Sequence, residues 1–296
     1  MKVSGHNKRL INVNNFFMEE TMQILRCLMI SLLVLGAASC TAYQKSGKSS
    51  YRVAIVQFDT IPEKNEHNTK QIERLSREAA AKGAEIILFH ECAVTDLVSD
   101  IDKYSELVPE GPACRRIEAV AKELKVYIGF GISEKTRDKF YYITHVFVGP
   151  EGYFYKYRKT WIWKSSDDRG YRNEWARYDV GDGPELFNVG GLRATCFICA
   201  DGDAPRCIER ARLLKPDIVF YPSNHGGESY YPQYTPRAAE IGVPTLIANR
   251  TGTSWYAECK GGCAVISGTG EVLAKTATHE EEILIYDLAM KSDCRN

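Results

Sequence analysis

The sequence has no excess of charge of either sign: lysine plus arginine and aspartate plus glutamate each number 38, so the formal net charge is zero. Such a chain carries no global field steering it toward nucleic acid or an acidic membrane surface, which leaves a small molecule as the expected partner. Histidine is scarce, with six residues and no HxxxH spacing, and paired CxxC motifs are absent. Neither a structural nor a catalytic zinc site has support, and no metal or cofactor is expected. There is no internal repeat or low-complexity tract, and the apolar run from Ile24 to Ala38 is too short for a comfortable membrane span.

That run still has a use. It ends in small residues and a cysteine, LGAASC, closing at Cys40, with the polar segment TAYQKSGKSS (41–50) behind it. A short apolar core with a small-residue exit is the pattern of a secretory signal, and the following segment is linker-like. Glu19 and Glu20 sit badly before such a core, so Met22 is an alternative start to Met1, with Arg26 as the basic element. The cysteine after the small residues resembles the lipobox of bacterial lipoproteins. That resemblance implies export, lipidation at Cys40 and a place in the bacterial cell envelope. The expected organisation is a signal over 1–40, a tether over 41–50, one domain over 51–290 and a short tail over 291–296. Eight cysteines follow Cys40, several inside apolar runs where cysteine behaves as a small buried hydrophobe, so no disulfide framework is expected.

What is present from Tyr51 onward, in a 296-residue chain that is 44% hydrophobic, is an alternation of strand and helix patterns. RVAIVQF (52–58) reads as a strand. Asn65–Lys82 carries Ile72, Leu75 and Ala79 at helical spacing, and EIILF (85–89) is a second strand. Gly111–Lys125 repeats the helical pattern, followed by strands VYIGFGISE, YITHVFVGP and YFYKYRK. Thr160–Pro184 reads as a long ordered loop of the kind that shapes an active-site rim. Strands at ELFNV, LRATCFIC (192–199), DIVFYPS, PTLIANR, CAVIS, EVLAK and EILIYDL, with helices before Lys215 and Ile241, complete the pattern. Strands outnumber helices roughly two to one, which predicts two sheets with helices on their outer faces.

Three strand ends carry unusual chemistry: EIILFHE ends on Glu91, YFYKYRK on Lys159 and LRATCFIC on Cys199. Strand ends are where α/β folds build their sites, and a carboxylate, an ammonium and a thiol supply base, stabiliser and nucleophile for acyl transfer. Singly, each has a plainer account: a solvated glutamate, an edge-strand lysine, an inert buried cysteine.

The settings LFHE, YRKTWIW and FICAD, in that order, resemble the nitrilase superfamily of carbon-nitrogen hydrolases. The likeness extends through VAIVQFD, AAAKGAEIILFHE, GISE, GPEGYFYKYRKT, LLKPDIVFYPSN, RAAEIGVPTLIANRTG and GEVLAKTATHEEEILIYDL. It implies a four-layer αββα sandwich, a Glu91–Lys159–Cys199 triad and hydrolysis of an amide or carbamoyl carbon-nitrogen bond through a cysteine thioester. It further implies that Glu134 of GISE hydrogen-bonds around the lysine, that the Ala200 N–H helps hold an oxyanion, and that two copies pair through their helices into a homodimer or larger oligomer. Cys196 is assigned to packing. Trp161, Trp163, Tyr171, Asn224 and His225 are expected at the pocket rim, His225 in a structural role.

The chain departs from the family pattern in places. His90 stands where proline is common before the glutamate, and the stretch after the cysteine reads Ala200-Asp201-Gly202-Asp203-Ala204-Pro205-Arg206, with Asp203 in place of an arginine. An acidic Asp203 points toward an amine-bearing substrate rather than a carboxylate-bearing one. Two other functions fit the same residues: acyl transfer to an amine, and a binding lipoprotein that has lost the chemistry.

Overall fold

The computed structural model describes residues 48–164, 173–226, 234–254 and 258–290. Its first part runs β1 (Ser50–Gln57), α1 (Asn65–Ala81), β2 (Ile86–Leu88), the single turn α2 (Ile101–Tyr104), α3 (Pro112–Leu124), β3 (Tyr127–Lys135), β4 (Tyr141–Gly149) and β5 (Gly152–Arg158). The second part runs β6 (Phe187–Val189), β7 (Leu192–Cys196), α4 (Pro205–Leu214), β8 (Ile218–Pro222), α5 (Thr235–Ile241) and β9 (Thr245–Ala248). It closes with β10 (Thr251–Thr253), β11 (Glu258–Lys260), β12 (Ala264–Ile266), β13 (Val272–Lys275) and β14 (Glu282–Ala289).

Apolar residues on both faces of β1, β2 and β8 require cover on both sides, and the topology supplies it. One six-stranded sheet has the order β14-β1-β2-β3-β4-β5 and the other β13-β12-β9-β8-β7-β6. In each, three neighbouring strands are parallel (β1-β2-β3 and β7-β8-β9), and the flanking pairs are antiparallel. Between the sheets lies a core built from both, with Val53, Leu88, Phe147 and Tyr157 meeting Val189, Cys196, Phe220 and Val265. Ile72, Leu75 and Ala79 of α1 and Ile117 and Ala121 of α3 cover the outer face of the first sheet. Cys207, Ile208 and Ala211 of α4 and Ala238 and Ile241 of α5 cover the second. The architecture is therefore the four-layer αββα sandwich.

Two expectations are corrected in detail. The strand expected over 192–199 ends at Cys196, and Cys199 instead opens a 3-10 turn, Cys199–Asp203, with a left-handed φ of 45°. The segment PTLIANR also breaks after Ala248, and Thr251 begins a separate two-stranded ladder with β11. Cys92, Cys114, Cys196, Cys199, Cys207, Cys259 and Cys263 are all free thiols. Cys40 and Tyr171 lie outside the described residues.

Candidate active site

Glu91 is carried three residues past the end of β2. Its approach depends on Gly131 of β3, where a Cβ would sit 2.2 Å from the Cys92 nitrogen and 2.6 Å from the His90 carbonyl oxygen. Only a glycine lets the chain turn there. The Glu91 N–H crosses to the other sheet and donates to the Ser223 carbonyl just beyond β8, at 3.3 Å. The carboxylate is buried, accepting from Lys159 Nζ on Oε1 and from the Asn224 backbone N–H on Oε2, each at 2.8 Å. Burial pushes its pKa up to about 7, with Glu174 adding to the rise and Lys159 opposing it. The competition between desolvation and a neighbouring ammonium is won by desolvation, which leaves a carboxyl group poised to both give and take a proton near neutrality.

Lys159 follows β5, its N–H still donating in ladder fashion to the Ile143 carbonyl. The side chain is fully buried, with Nζ 2.8 Å from Glu91 Oε1 and 2.8 Å from Glu174 Oε2. Burial works against its charge, but Glu174, Glu91 and Cys199 outweigh it and hold the pKa well above that of an ordinary lysine. An ammonium has three donors, and two are engaged by carboxylates.

The second carboxylate on Lys159 is thus Glu174, where Glu134 was expected. Glu134 is buried elsewhere, bonded to Lys156 Nζ at 2.7 Å, to Arg158 Nη2 at 2.6 Å and to the Thr144 hydroxyl at 2.6 Å. The reason is strand parity. Position 134 shares its face with Ile128, Phe130 and Ile132, which point at the helices, whereas Tyr157 and Lys159 point between the sheets. Burial opposes ionisation of Glu134, but its cationic partners and Thr144 keep its pKa below the ordinary value. It ties β3, β4 and β5 together. Glu174 sits in a 3-10 turn, Glu174–Ala176, inside the long loop after β5, and its Oε2 also accepts from the Trp163 N–H at 3.0 Å. Its only sequence signal is membership of that loop.

Cys199 is half-buried while Cys196 is fully buried between the sheets. Left-handed backbone at a non-glycine residue costs on the order of 1–2 kcal/mol and persists only where surroundings over-determine it. They do so here. The Tyr221 hydroxyl donates to the Cys199 carbonyl at 2.7 Å, and the buried Asp201 carboxylate accepts from the Ile198, Thr160 and Trp161 N–H groups and the Tyr157 hydroxyl, at 2.6 to 3.0 Å. Asp201 thereby joins the turn bearing Cys199 to the chain bearing Lys159, and burial raises its pKa to about 6. Gly202 is required as well: a Cβ there would lie 1.8 Å from the Tyr221 hydroxyl oxygen. Burial and the Glu91 charge hold the Cys199 thiol well above the ordinary value, against Lys159 and the Asn224 N–H. The free thiol is therefore protonated at neutral pH and needs a base to attack.

The remaining expected residues divide. Trp161 and Trp163 are 55% and 44% exposed, and Asp203 is exposed at the end of the cysteine's turn. Ala200 is buried beside Cys199. Asn224 is not a rim residue: it is 7% exposed, with its side-chain amide donating to Asp96 at 2.8 Å and its backbone N–H to Glu91. The His225 backbone exchanges hydrogen bonds with the Asn249 side chain, its N–H donating at 3.0 Å and its carbonyl accepting at 3.2 Å.

Comparison with known proteins bears on what this arrangement belongs to. A nitrilase from Pyrococcus abyssi is 28% identical over 243 residues, covering 80% of this chain and 89% of that protein. The omega-amidase of Xenopus tropicalis is 28% identical over 256 residues (82% and 90%), and the N-carbamoylputrescine amidase of rice is 27% identical over 265 residues (81% and 86%). Among solved structures, an amidase from Nesterenkonia superposes with a TM-score of 0.72 at 21% identity, covering 82% of this chain and 92% of that one, which supports the fold. The carbon-nitrogen hydrolase family model matches residues 52–292, and the chain belongs to that family.

Proposed function

We propose that the protein hydrolyses an amide or carbamoyl carbon-nitrogen bond of a small molecule through a thioester on Cys199. The observation that carries this reading is the buried contact between Glu91 and Lys159, beside a half-buried thiol that cannot ionise unaided. Glu91 takes the thiol proton as Cys199 Sγ bonds to the carbonyl carbon, then gives that proton to the departing nitrogen as the C–N bond breaks. The donor of Lys159 left over by its two carboxylates, with the Ala200 N–H, holds the oxyanion. Water, deprotonated by Glu91, attacks the thioester, the C–S bond breaks, and the proton returns to sulfur.

A pKa near 7 on Glu91 supports one group serving as acid and base in turn. For the substrate, Asp203 is exposed four residues after the nucleophile in the same turn, which favours an amine at the end of the substrate away from the scissile bond. One of the relatives is named an N-carbamoylputrescine amidase, and its name is compatible with such a substrate. The test is ammonia and amine release from a panel of amides, ureas and nitriles by the full chain in detergent, including paired cationic and anionic amides. Turnover retained in Cys199→Ala would sink the thioester route, and equal rates on the two charge types would remove Asp203 from specificity.

Export and lipidation at Cys40, resting on the LGAASC pattern, are part of the same proposal. Incorporation of a labelled acyl chain in a bacterial host, lost in Cys40→Ser, is the expected result. A homodimer or larger oligomer is proposed from the family resemblance, and sedimentation of the detergent-solubilised chain checks it.

A further inference from the structure

A buried arginine lies behind the base with no role in the chemistry so far described. Arg250, just past β9, is completely buried, and its Nη1 is 2.6 Å from Asp96 Oδ2, itself completely buried. Its Nη2 is 2.9 Å from Asp59 Oδ1 and donates to the Thr60 carbonyl at 2.6 Å. Asp96 has a left-handed φ of 53° in the turn that follows Glu91, and its carboxylate is saturated. Oδ2 also accepts from the Ser254 hydroxyl, and Oδ1 accepts from the Leu97 N–H and the Asn224 side-chain amide, each at 2.8 Å. The Asn224 backbone N–H then reaches Glu91 Oε2 at 2.8 Å and also favours the Cys199 thiolate.

We propose that Arg250 is a positioning residue for the base: through Asp96 and the Asn224 side chain it fixes the Asn224 N–H against the Glu91 carboxylate. The inference rests on the reading of Glu91 as the base for Cys199. A buried ion pair is weak evidence of stabilisation on its own account, because desolvation of both charges offsets their attraction. Its value here is geometric. Asn224 follows the last residue of β8 by two positions; its neighbours Ser223 and His225 are held through their backbones, and a salt-bridged carboxylate holds the Asn224 side chain at a fixed point. With Oε1 on Lys159 and Oε2 on the Asn224 N–H, both carboxylate oxygens are oriented. The ionisable groups facing Glu91 are Lys159 from the end of β5, Glu174 from the 3-10 turn, Cys199 from the turn after β7, Tyr234 at the start of α5, and the adjacent Cys92. The relay meets two of them directly: the Asn224 N–H favours the Cys199 thiolate, and the Asp96 N–H donates to the Cys92 carbonyl at 2.7 Å.

The test uses the full chain and iodoacetamide, with carbamidomethylation of Cys199 followed by peptide mass spectrometry from about pH 4 to about pH 10, so that thiolate formation is read without knowledge of the substrate. Wild type should show a rate rising through the ionisation of Glu91. Asn224→Ala, which alters no charge, removes the anchor and withdraws a donor from the carboxylate, so the rise should move upward by about one pH unit, with a roughly tenfold lower rate below it. Arg250→Lys should move it in the same direction, and the double variant should move it no further than Asn224→Ala alone, because the two act in series. An Asn224→Ala profile identical to wild type, or additive shifts in the double variant, would overturn the relay, as a residue important only for folding would change the melting temperature and leave the profile alone. Glu91→Gln separates the two layers of the argument. If it abolishes the rise while Asn224→Ala does not move it, only the relay fails; if it too leaves the profile unchanged, Glu91 is not the base and the relay falls with it.

Discussion

Glu174 is the residue whose removal tests the electrostatics of the site most directly. Its carboxylate and that of Glu91 each stand 2.8 Å from the same buried ammonium, so their nearest oxygens are roughly 5 Å apart, and at an effective dielectric constant near 20 their repulsion is on the order of 3 kcal/mol. Glu174→Gln removes that charge and keeps an acceptor for Lys159. The repulsion is one of the causes raising the Glu91 pKa to about 7, so the substitution should bring it down by as much as about two units. The sign follows directly: a base with a lower pKa is deprotonated at lower pH, so the acidic limb of the kcat/KM profile, or of Cys199 alkylation, moves downward. The plateau rate should fall, since a weaker base withdraws the thiol proton less readily. Glu134→Gln is the contrasting variant. It leaves Lys156 and Arg158 without their shared carboxylate, which should lower the melting temperature and leave the limb in place. A limb that stays put or rises in Glu174→Gln, or falls in Glu134→Gln, would refute the assignment of Glu174 as the second carboxylate on the lysine.

Other expectations follow from single contacts. Gly202→Ala would drive a methyl group to 1.8 Å from the Tyr221 hydroxyl, breaking its bond to the Cys199 carbonyl; a loss of about 1–3 kcal/mol in chemical denaturation and a slower alkylation of Cys199 are expected, partly relieved in the double variant with Tyr221→Phe. Cys199→Ala should fold normally and lose both turnover and iodoacetamide incorporation at the 193–206 peptide, since Cys196 is fully buried; label persisting there would reassign the reactive thiol. His90 and His145 are completely buried, and burial lowers each pKa from 6.5 to about 3. A depressed pKa means the unfolded chain takes up protons first, so stability is full above pH 6.5 and is lost as pH falls toward 3, by on the order of 5 kcal/mol per histidine. His145→Phe should therefore flatten the acid limb of the denaturant midpoint, and an unchanged slope would show that His145 is protonated in the folded state.

The layers of the fold were legible because they rest on local pattern: Ile72, Leu75 and Ala79 at helical spacing, and β1, β2 and β8 apolar on both faces, already require two sheets with helical cover. Glu91 and Lys159 were legible for a related reason. Glu91 is a charged residue following the apolar β2 and Lys159 follows the aromatic-rich β5, and a strand aims its last side chains into the crevice at its end. Glu174 follows no strand and obeys no period, so nothing local distinguishes it from the other charges of its loop. Glu134 shows the opposite failure, since its parity with Phe130 and Ile132 placed it on the helix-facing side of β3, and the family resemblance outweighed a signal that was present.

The break after Cys196 is instructive in another way. Every residue from Ala194 to Cys199 but one is apolar or a thiol, and strand propensity runs on through the segment. What stops it is tertiary: the Asp201 carboxylate binding Ile198 from below and the chain beyond β5 from the side, and the Tyr221 phenol binding the Cys199 carbonyl from the next strand. The same holds for Arg250, whose partner Asp96 lies 154 residues earlier. Charges buried in this protein fix backbone around the candidate site: Asp201 on the turn bearing Cys199, Arg250 and Asp96 on the Asn224 N–H that donates to Glu91, and Glu134 on the strands that lead to Lys159. Burying an ion pair gives little net stability but removing one partner is costly, so the charge-neutral Asn224→Ala should lose rate before it loses the fold, whereas Glu134→Gln, which leaves two cations unpaired, should show first in the melting temperature.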